Sequence, residues 1–192
     1  GCEVEIETKN VTVRMELPNS WDEYLAVLSK KQRHEVRRKF RRFSEAGTVA
    51  INIIKEMDEV APAMARFFKM FRESRKDKDS FMTSERELFF RELAQQLAGA
   101  EILYLHEILI NGSAAAMVFC VNLGSTTYLY NNGFNPEFSS ISVGVISKLM
   151  TIRQSIEAGM QHYDFLGGNE HYKYQLGGKE ENLFSCSIRI GD

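Results

Sequence analysis

Apolar and polar positions alternate from the start of the chain. Glu3, Glu5 and Glu7 take every second place, and Val11, Val13, Met15 and Leu17 share a face opposite Thr12, Arg14 and Glu16, which predicts β-structure as far as Pro18-Asn19. The pattern then changes period. Ser20-Trp21-Asp22-Glu23 has capping-box spacing and predicts a short helix to about Leu28. Ser29-Lys30-Lys31-Gln32 repeats that spacing and opens a longer helix, with Val36, Phe40 and Phe43 at helical intervals and Gly47 as its stop.

Thr48–Lys55 is a β-branched run that predicts a buried strand. Helices are expected over about Glu59–Arg75, with Pro62 in the first turn, and about Glu85–Ala98, capped by Ser84 and stopped by Gly99; the polar tract Lys76–Ser80 between them predicts a loop. Glu101–Ile110, Ala114–Leu123 and Thr126–Phe134 predict a three-stranded meander turning at Asn111-Gly112 and Gly124-Ser125. A polar loop, Asn135–Ile141, leads to a helix over about Ser142–Ala158. A short strand His162–Leu166, a short helix around Glu170–Leu176 and a last strand Leu183–Ile190 complete the order. A meander followed by a crossover helix and a further strand is the pattern of a mixed, mostly antiparallel sheet with one parallel pair flanked by helices. A ligand crevice belongs where neighbouring parallel strands end beside a helix N-terminus, which points to the loop before Ser142.

This order resembles the GNAT-type acetyltransferase fold. Within it, Tyr128–Gly178 looks like the C-terminal half of FemAB-like acyltransferases, including acetyltransferases of polysaccharide biosynthesis. The similarity is carried in order by Gly133-Phe134-Asn135-Pro136, the small-residue loop Ser142-Val143-Gly144, Glu157-Ala158-Gly159 running to Tyr163-Asp164-Phe165, and Tyr172-Lys173 closed by Gly177. The stretch from Ser20 to Arg42 resembles the family's basic helix entering its second acyltransferase-like domain, so the likeness covers about residues 18–190. It implies an N-terminal strand and basic helical extension over 1–47 and an acetyltransferase-like domain over 48–192. A second such domain, or a second copy of the chain, is the expected companion.

The resemblance also implies roles. Ser139, Ser142, Val143 and Gly144 stand where the fold holds the diphosphate of coenzyme A. Ser139 replaces the usual Arg or Gln and Ser142 the first glycine, which leaves room for aminoacyl-tRNA as the donor instead of acetyl-CoA. Small residues at a helix start let backbone amides approach an anion; the plain alternative is N-capping by Ser142. A bulky residue at Gly144 is expected to block such a ligand and spare the fold. Tyr130, Asn131 and Asn132 lie late in the strand that would offer its backbone to the donor's pantetheine arm; cross-strand packing is the alternative for Tyr130. Lys173 occupies the place of the fold's proton-donating tyrosine and would stabilise the acyl oxyanion or protonate the leaving thiolate. Tyr172 is a fallback acid, although adjacent helical residues diverge by roughly 100°. Asp164, between two aromatics, is either a structural acceptor or a general base. The implied reaction moves an acetyl group from acetyl-CoA to an amine or hydroxyl of a cell-envelope glycan or nucleotide-sugar precursor; the alternatives are an aminoacyl-tRNA-dependent peptidyltransferase of the FemAB type and a non-catalytic acyltransferase-like binding module.

Charge sharpens this picture. Residues 1–28 carry 2 basic and 6 acidic side chains, 29–91 carry 17 and 10, and 92–192 carry 5 and 10. Eight of the cations fall between Lys30 and Arg42, more than solubility requires, so this helix either attracts a phosphate-rich partner or packs against another domain. The three separated cysteines suit a reducing compartment. With four scattered histidines they form no zinc spacing, so no metal is expected. No apolar run approaches the roughly 20 residues of a bilayer span, and Gly1–Lys9 does not read as a signal peptide. A cytoplasmic protein, free or peripheral at a membrane, is the expectation.

Overall fold

The computed structural model describes residues 2–74 and 76–190, without the side chains of residues 76 and 77. The alternating N-terminal segment forms one strand, β1 (Cys2–Glu16). Helix α1 (Trp21–Val27) is capped by the Ser20 hydroxyl, and α2 (Lys30–Glu45) carries the complete reciprocal box between Ser29 and Gln32. Buried Val36 and Phe43 pin α2, and half-buried Phe40 meets Trp21 edge-on at 5.5 Å. Strand β2 (Val49–Ile54) is an edge strand in which only Ile54 is buried, so the fully buried strand expected here is corrected. Val49 and Ile51 are only half-buried against one core, and Ile54 alone enters the other.

Helix α3 (Met57–Ser74) is followed by α4 (Lys76–Phe81), where the polarity of the sequence predicted a loop. A charged tract carries no periodic apolar signal, yet α4 closes with Phe81 against Phe71, at 6.0 Å between rings. Helix α5 (Ser84–Gly99) starts where expected, but its cap is Thr83, whose hydroxyl accepts from the Arg86 amide. Then come β3 (Leu103–Ile110), β4 (Ser113–Leu123) and β5 (Thr126–Phe134). The predicted polar loop is a 3-10 helix over Pro136–Ile141, set by Pro136 at its start and by Asn135, whose side chain accepts from the Glu137 amide. Helix α6 (Val143–Glu157), β6 (His162–Gly167), α7 (His171–Gln175) and β7 (Lys179–Ile190) end the chain.

The seven strands among the described residues form one sheet in the order β2-β3-β4-β5-β6-β1-β7, antiparallel except for β5 beside β6. β1 lies between β6 and β7, so the N-terminal segment shares the sheet with everything after residue 47. Alternation along the strands builds two cores. Leu103, Leu105, Met117 and Phe119 face α3 and α5, where Phe67, Phe68 and Phe90 pack. Ile108, Ile110, Val118, Cys120 and Leu129 face α6 and the N-terminal helices. Helix α6 buries polar residues as well as apolar ones, and these are satisfied: Thr151 Oγ1 lies 2.7 Å from the Tyr163 hydroxyl and Ser155 Oγ lies 2.9 Å from Thr127 Oγ1. Those bonds tie α6 to β6 and β5. They thereby fix the helix whose N-terminus opens the site described next.

Candidate acyl-transfer cleft

The two parallel strands are paired only over Thr126–Tyr128 with His162–Asp164. Beyond Tyr128 they part. β5 runs on to Phe134 bonded to β4 alone, and a bulge inserts Tyr130 between Leu129, opposite Cys120, and Asn131, opposite Phe119. β6 runs on to Gly167 bonded to β1 on its far side. The wedge between them is a cleft of about 570 Å³, with α6 pointing its N-terminus into one side and α7 lying along the other. Nine of the ten candidate residues line it: Tyr130, Asn131 and Asn132 from β5, Ser139, Ser142, Val143 and Gly144 from the 3-10 helix and the start of α6, and Tyr172 and Lys173 from α7.

Ser142 does not cap α6 with its side chain, which corrects the plain capping alternative. It adopts φ 60° and ψ 36°, the left-handed region that favours glycine, and its hydroxyl accepts from Lys39 Nζ at 3.3 Å. The amides of Val143 and Gly144 stand at the helix start, where no intrahelical acceptor exists. Basic helix α2 thus reaches the rim of the cleft through Lys39. Gly144 is demanded by packing as well as by any ligand, because a Cβ there would lie 2.9 Å from the Phe134 ring. The expectation that a bulky residue at 144 spares the fold is therefore corrected.

The opposite wall is a clamped loop. Leu166 is also left-handed, at φ 59°. Its amide donates to Asp164 Oδ1 at 2.7 Å, and the same oxygen accepts from Thr12 Oγ1 at 2.8 Å. Asp164 is buried, does not line the cleft and has its Oδ1 bonded to β1 and to this turn. The Lys173 ammonium, 2% exposed, donates to the carbonyls of Leu166, Gly167 and Gly168 at 2.9, 2.8 and 3.1 Å and lies 2.9 Å from Glu170 Oε2. It is no exposed lysine on a short helix. Non-glycine residues in this region cost of order 1 kcal/mol each and persist where their surroundings over-determine them. Ser142 and Leu166 face the cleft from its two sides, each held by a lysine and, for Leu166, by Asp164.

Tyr172 lines the cleft beside Lys173, so adjacency in α7 does not divert it. Burial, reinforced by nearby Glu170, raises its hydroxyl above the ordinary phenol range and keeps the proton on it at neutral pH. Two further cations went unnoticed in the sequence. Lys148, 6% exposed on the second turn of α6, donates to the Gly144 carbonyl at 2.6 Å and sits 4.7 Å over the Tyr172 ring. Lys78 of α4 donates to the Asn132 carbonyl. The single charged residue among the first ten of α6, four after Gly144, was the available signal for Lys148. Lys78 had none, because only tertiary packing brings α4 to β5.

Residues 30–174 match the profile of the acetyltransferase (GNAT) domain. No curated protein matches the sequence. Among solved structures, the chain is similar to FemX, with TM-score 0.66 and 11% identity over 91% of this chain and 60% of that one. It is also similar to the C-terminal domain of a lysylphosphatidylglycerol synthetase from Agrobacterium fabrum, with TM-score 0.62 and 10% identity over 98% of this chain and 62% of that one. The lysylphosphatidylglycerol synthase of Bacillus licheniformis gives TM-score 0.58 and 8% identity over 96% and 61%. The chain thus spans about three-fifths of the length of these structures, and at such identities the likeness is one of fold. With the parted strands, the bulge and the amide-lined helix start in place, the match over 30–174 makes this chain a member of the acetyltransferase (GNAT) domain family.

Proposed function

We propose that this chain is an acyltransferase domain that takes acetyl-CoA in the cleft between β5 and β6 and acetylates an amine or hydroxyl of a cell-envelope glycan or its precursor. The observation that carries the reading is the parting of β5 from β6 after Tyr128, which leaves one edge of Leu129–Gly133 without a strand partner among the described residues, beside the first amides of α6. An extended amide-bearing arm would bond to that edge. A diphosphate would meet the Val143 and Gly144 amides, the positive end of the α6 dipole and Lys39. The thioester supplies an acyl group already activated toward attack. The chain's own residues contribute position and charge. Tyr172, protonated and on the cleft, is the group to protonate a departing thiolate, and Lys173 acts as a positioning residue through the 166–168 loop.

Calorimetry of the chain with CoA and acetyl-CoA tests this directly. Binding is expected to fall about tenfold when Lys39 is replaced by Met, which removes the cation that reaches the start of α6. Equal affinity in that variant would move the ligand away from α6.

A second reading, an aminoacyl-tRNA donor, is favoured by one observation: α2 brings its cationic face to the same rim, with Lys39 on Ser142. Arg37, Arg41 and Arg42 are exposed. Replacing all three with Gln is expected to flatten the salt dependence of tRNA binding by about 0.7 in log–log slope per lost phosphate contact, with melting temperature nearly unchanged. A melting temperature that collapses would instead make α2 a structural or interface element.

A further inference from the structure

Strands β1 and β7 run on together past the rest of the sheet. β6 pairs with β1 only over Thr12–Glu16, so from Cys2 to Thr8 β1 is bonded to β7 alone among the described residues. Opposed residues of an antiparallel pair point to the same face, and the two faces of this ribbon differ. One carries Val4 opposite Ile188, Ile6 opposite Cys186, Thr8 opposite Phe184 and Cys2 opposite Ile190. The other carries Glu3, Glu5 and Glu7 opposite Arg189, Ser187 and Ser185. Val4, Ile6, Phe184, Ile188 and Ile190 are each more than half exposed. We propose that this apolar face is the contact surface of a two-fold dimer, covered by the same face of a second copy of the chain.

Alternation of this kind belongs to a sheet with one face packed and one in water. The bulge where the register shifts between Thr8 and Asn10 points the same way. Apolar residues of β1 are even-numbered before that shift, Val4 and Ile6, and odd-numbered after it, Val11 and Val13. The extra residue turns both sets to one side, because Val11 and Val13 oppose Asn182 and Glu180, on the same face of β7 as Phe184 and Ile188. Val13 is fully buried in the core beside α6, so the ribbon carries that core's face outward, beyond the helices that cover it. Two strands with both faces in water are marginally stable, and a layer on the apolar side removes the deficit.

Area and charge select a second copy as that layer. The exposed parts of the five residues amount to on the order of 600 Å², the upper limit of what a monomer leaves in one apolar patch. Two such patches face to face remove about 1,200 Å², the lower bound of a specific interface. The apolar face carries no charged side chain from Cys2 to Thr8 or from Phe184 to Ile190, so two copies meet there without like-charge repulsion. Glu3, Glu5 and Glu7 against Arg189 alone make the reverse face acidic, which opposes an anionic lipid surface or a nucleic acid. A face that meets itself about a two-fold axis closes at two copies. This inference is independent of the acyl-transfer reading, since no residue named in the ribbon lines that cleft.

The test is sedimentation equilibrium of the chain between about 1 and about 100 µM, with a reversible dimer that half-dissociates at about 10 µM as the expected result. Ile188→Lys places an ammonium inside the contact and is expected to weaken association about a hundredfold. Ser187→Lys, one residue away on the acidic face, is expected to leave it within about threefold. Both sites are exposed, so both variants should keep the parent's circular dichroism. Val4→Lys, on the neighbouring strand, repeats the test should Ile188→Lys misfold. A monomer at about 100 µM overturns the proposal, whether the chain then stays free or floats with phosphatidylcholine vesicles. So does open-ended growth in mass, an undiminished dimer in the two apolar-face variants, or an equal loss of the dimer in Ser187→Lys.

Discussion

Lys173→Met is expected to cost about 3 kcal/mol of stability and to lower turnover on the order of 10²-fold, together. Methionine matches the length and the burial but donates nothing. Three carbonyls that now share one ammonium, those of Leu166, Gly167 and Gly168, lose their donor at once. Hydrogen bonds to a charged group are worth about 1.5–3 kcal/mol each, and the sum is discounted because water from the cleft can reach part of the loop. The Glu170 pair adds little, since that side chain is 59% exposed. At about 2–4 °C per kcal/mol for a chain of this size, the melting temperature should drop by roughly 10 °C. Lys173→Arg is expected to recover only part, because a planar fork cannot converge on three carbonyls as an ammonium does. Tyr172→Phe supplies the contrast. It should lose a comparable factor in kcat at unchanged melting temperature, because only the hydroxyl is removed. Normal turnover and stability in Lys173→Met would dismiss the clamp; a kcat loss at unchanged stability would return Lys173 to the chemistry itself.

Gly133→Ala is expected to destabilise the chain by about 3 kcal/mol or more, measured by denaturant titration. The glycine sits where α3 crosses β5 at closest approach. An added Cβ would lie 2.5 Å from the Phe71 amide nitrogen and 2.8 Å from the carbonyl carbon of Met70 and the Cα of Phe71. These are backbone atoms of a helix seated on buried Phe67, Phe68 and Phe71, so no side chain can swing aside. The whole of α3 must retreat or β5 must bow. Either movement disturbs Asn131 and Asn132 on the cleft, so donor binding should weaken in step with stability. An unchanged transition midpoint would mean that the α3–β5 spacing is softer than the packing implies.

Much of the architecture was legible before any coordinates. Helix and strand periods, two capping boxes, and the turns at Asn111-Gly112 and Gly124-Ser125 located nearly every element, because those signals act within a few residues of each other. Four motifs in register pointed to the family. The elements misread, α4 and the 3-10 helix, are those whose stability comes from contacts distant in sequence or from a single local cap.

The candidate cleft divides in the same way. Small residues before a helix and adjacent asparagines late in a strand could be picked out one by one, since each departs from what a plain helix or strand requires, whereas the Tyr172-Lys173 pair was marked only by its resemblance to the family's motif. Their convergence could not, because it depends on β5 and β6 parting after three paired residues. Four assignments needed the tertiary structure. Asp164 is bonded to Thr12 of β1 and to a left-handed turn, Lys173 has its ammonium committed to three carbonyls, and Lys148 and Lys78 arrive from helices whose placement no local pattern encodes. Local sequence determines which residues can form a helix, a strand or a turn, because propensity and capping are short-range. Which of them share a cleft, and whether a buried cation is free to do chemistry or is spent on the backbone, is decided by packing across the sheet.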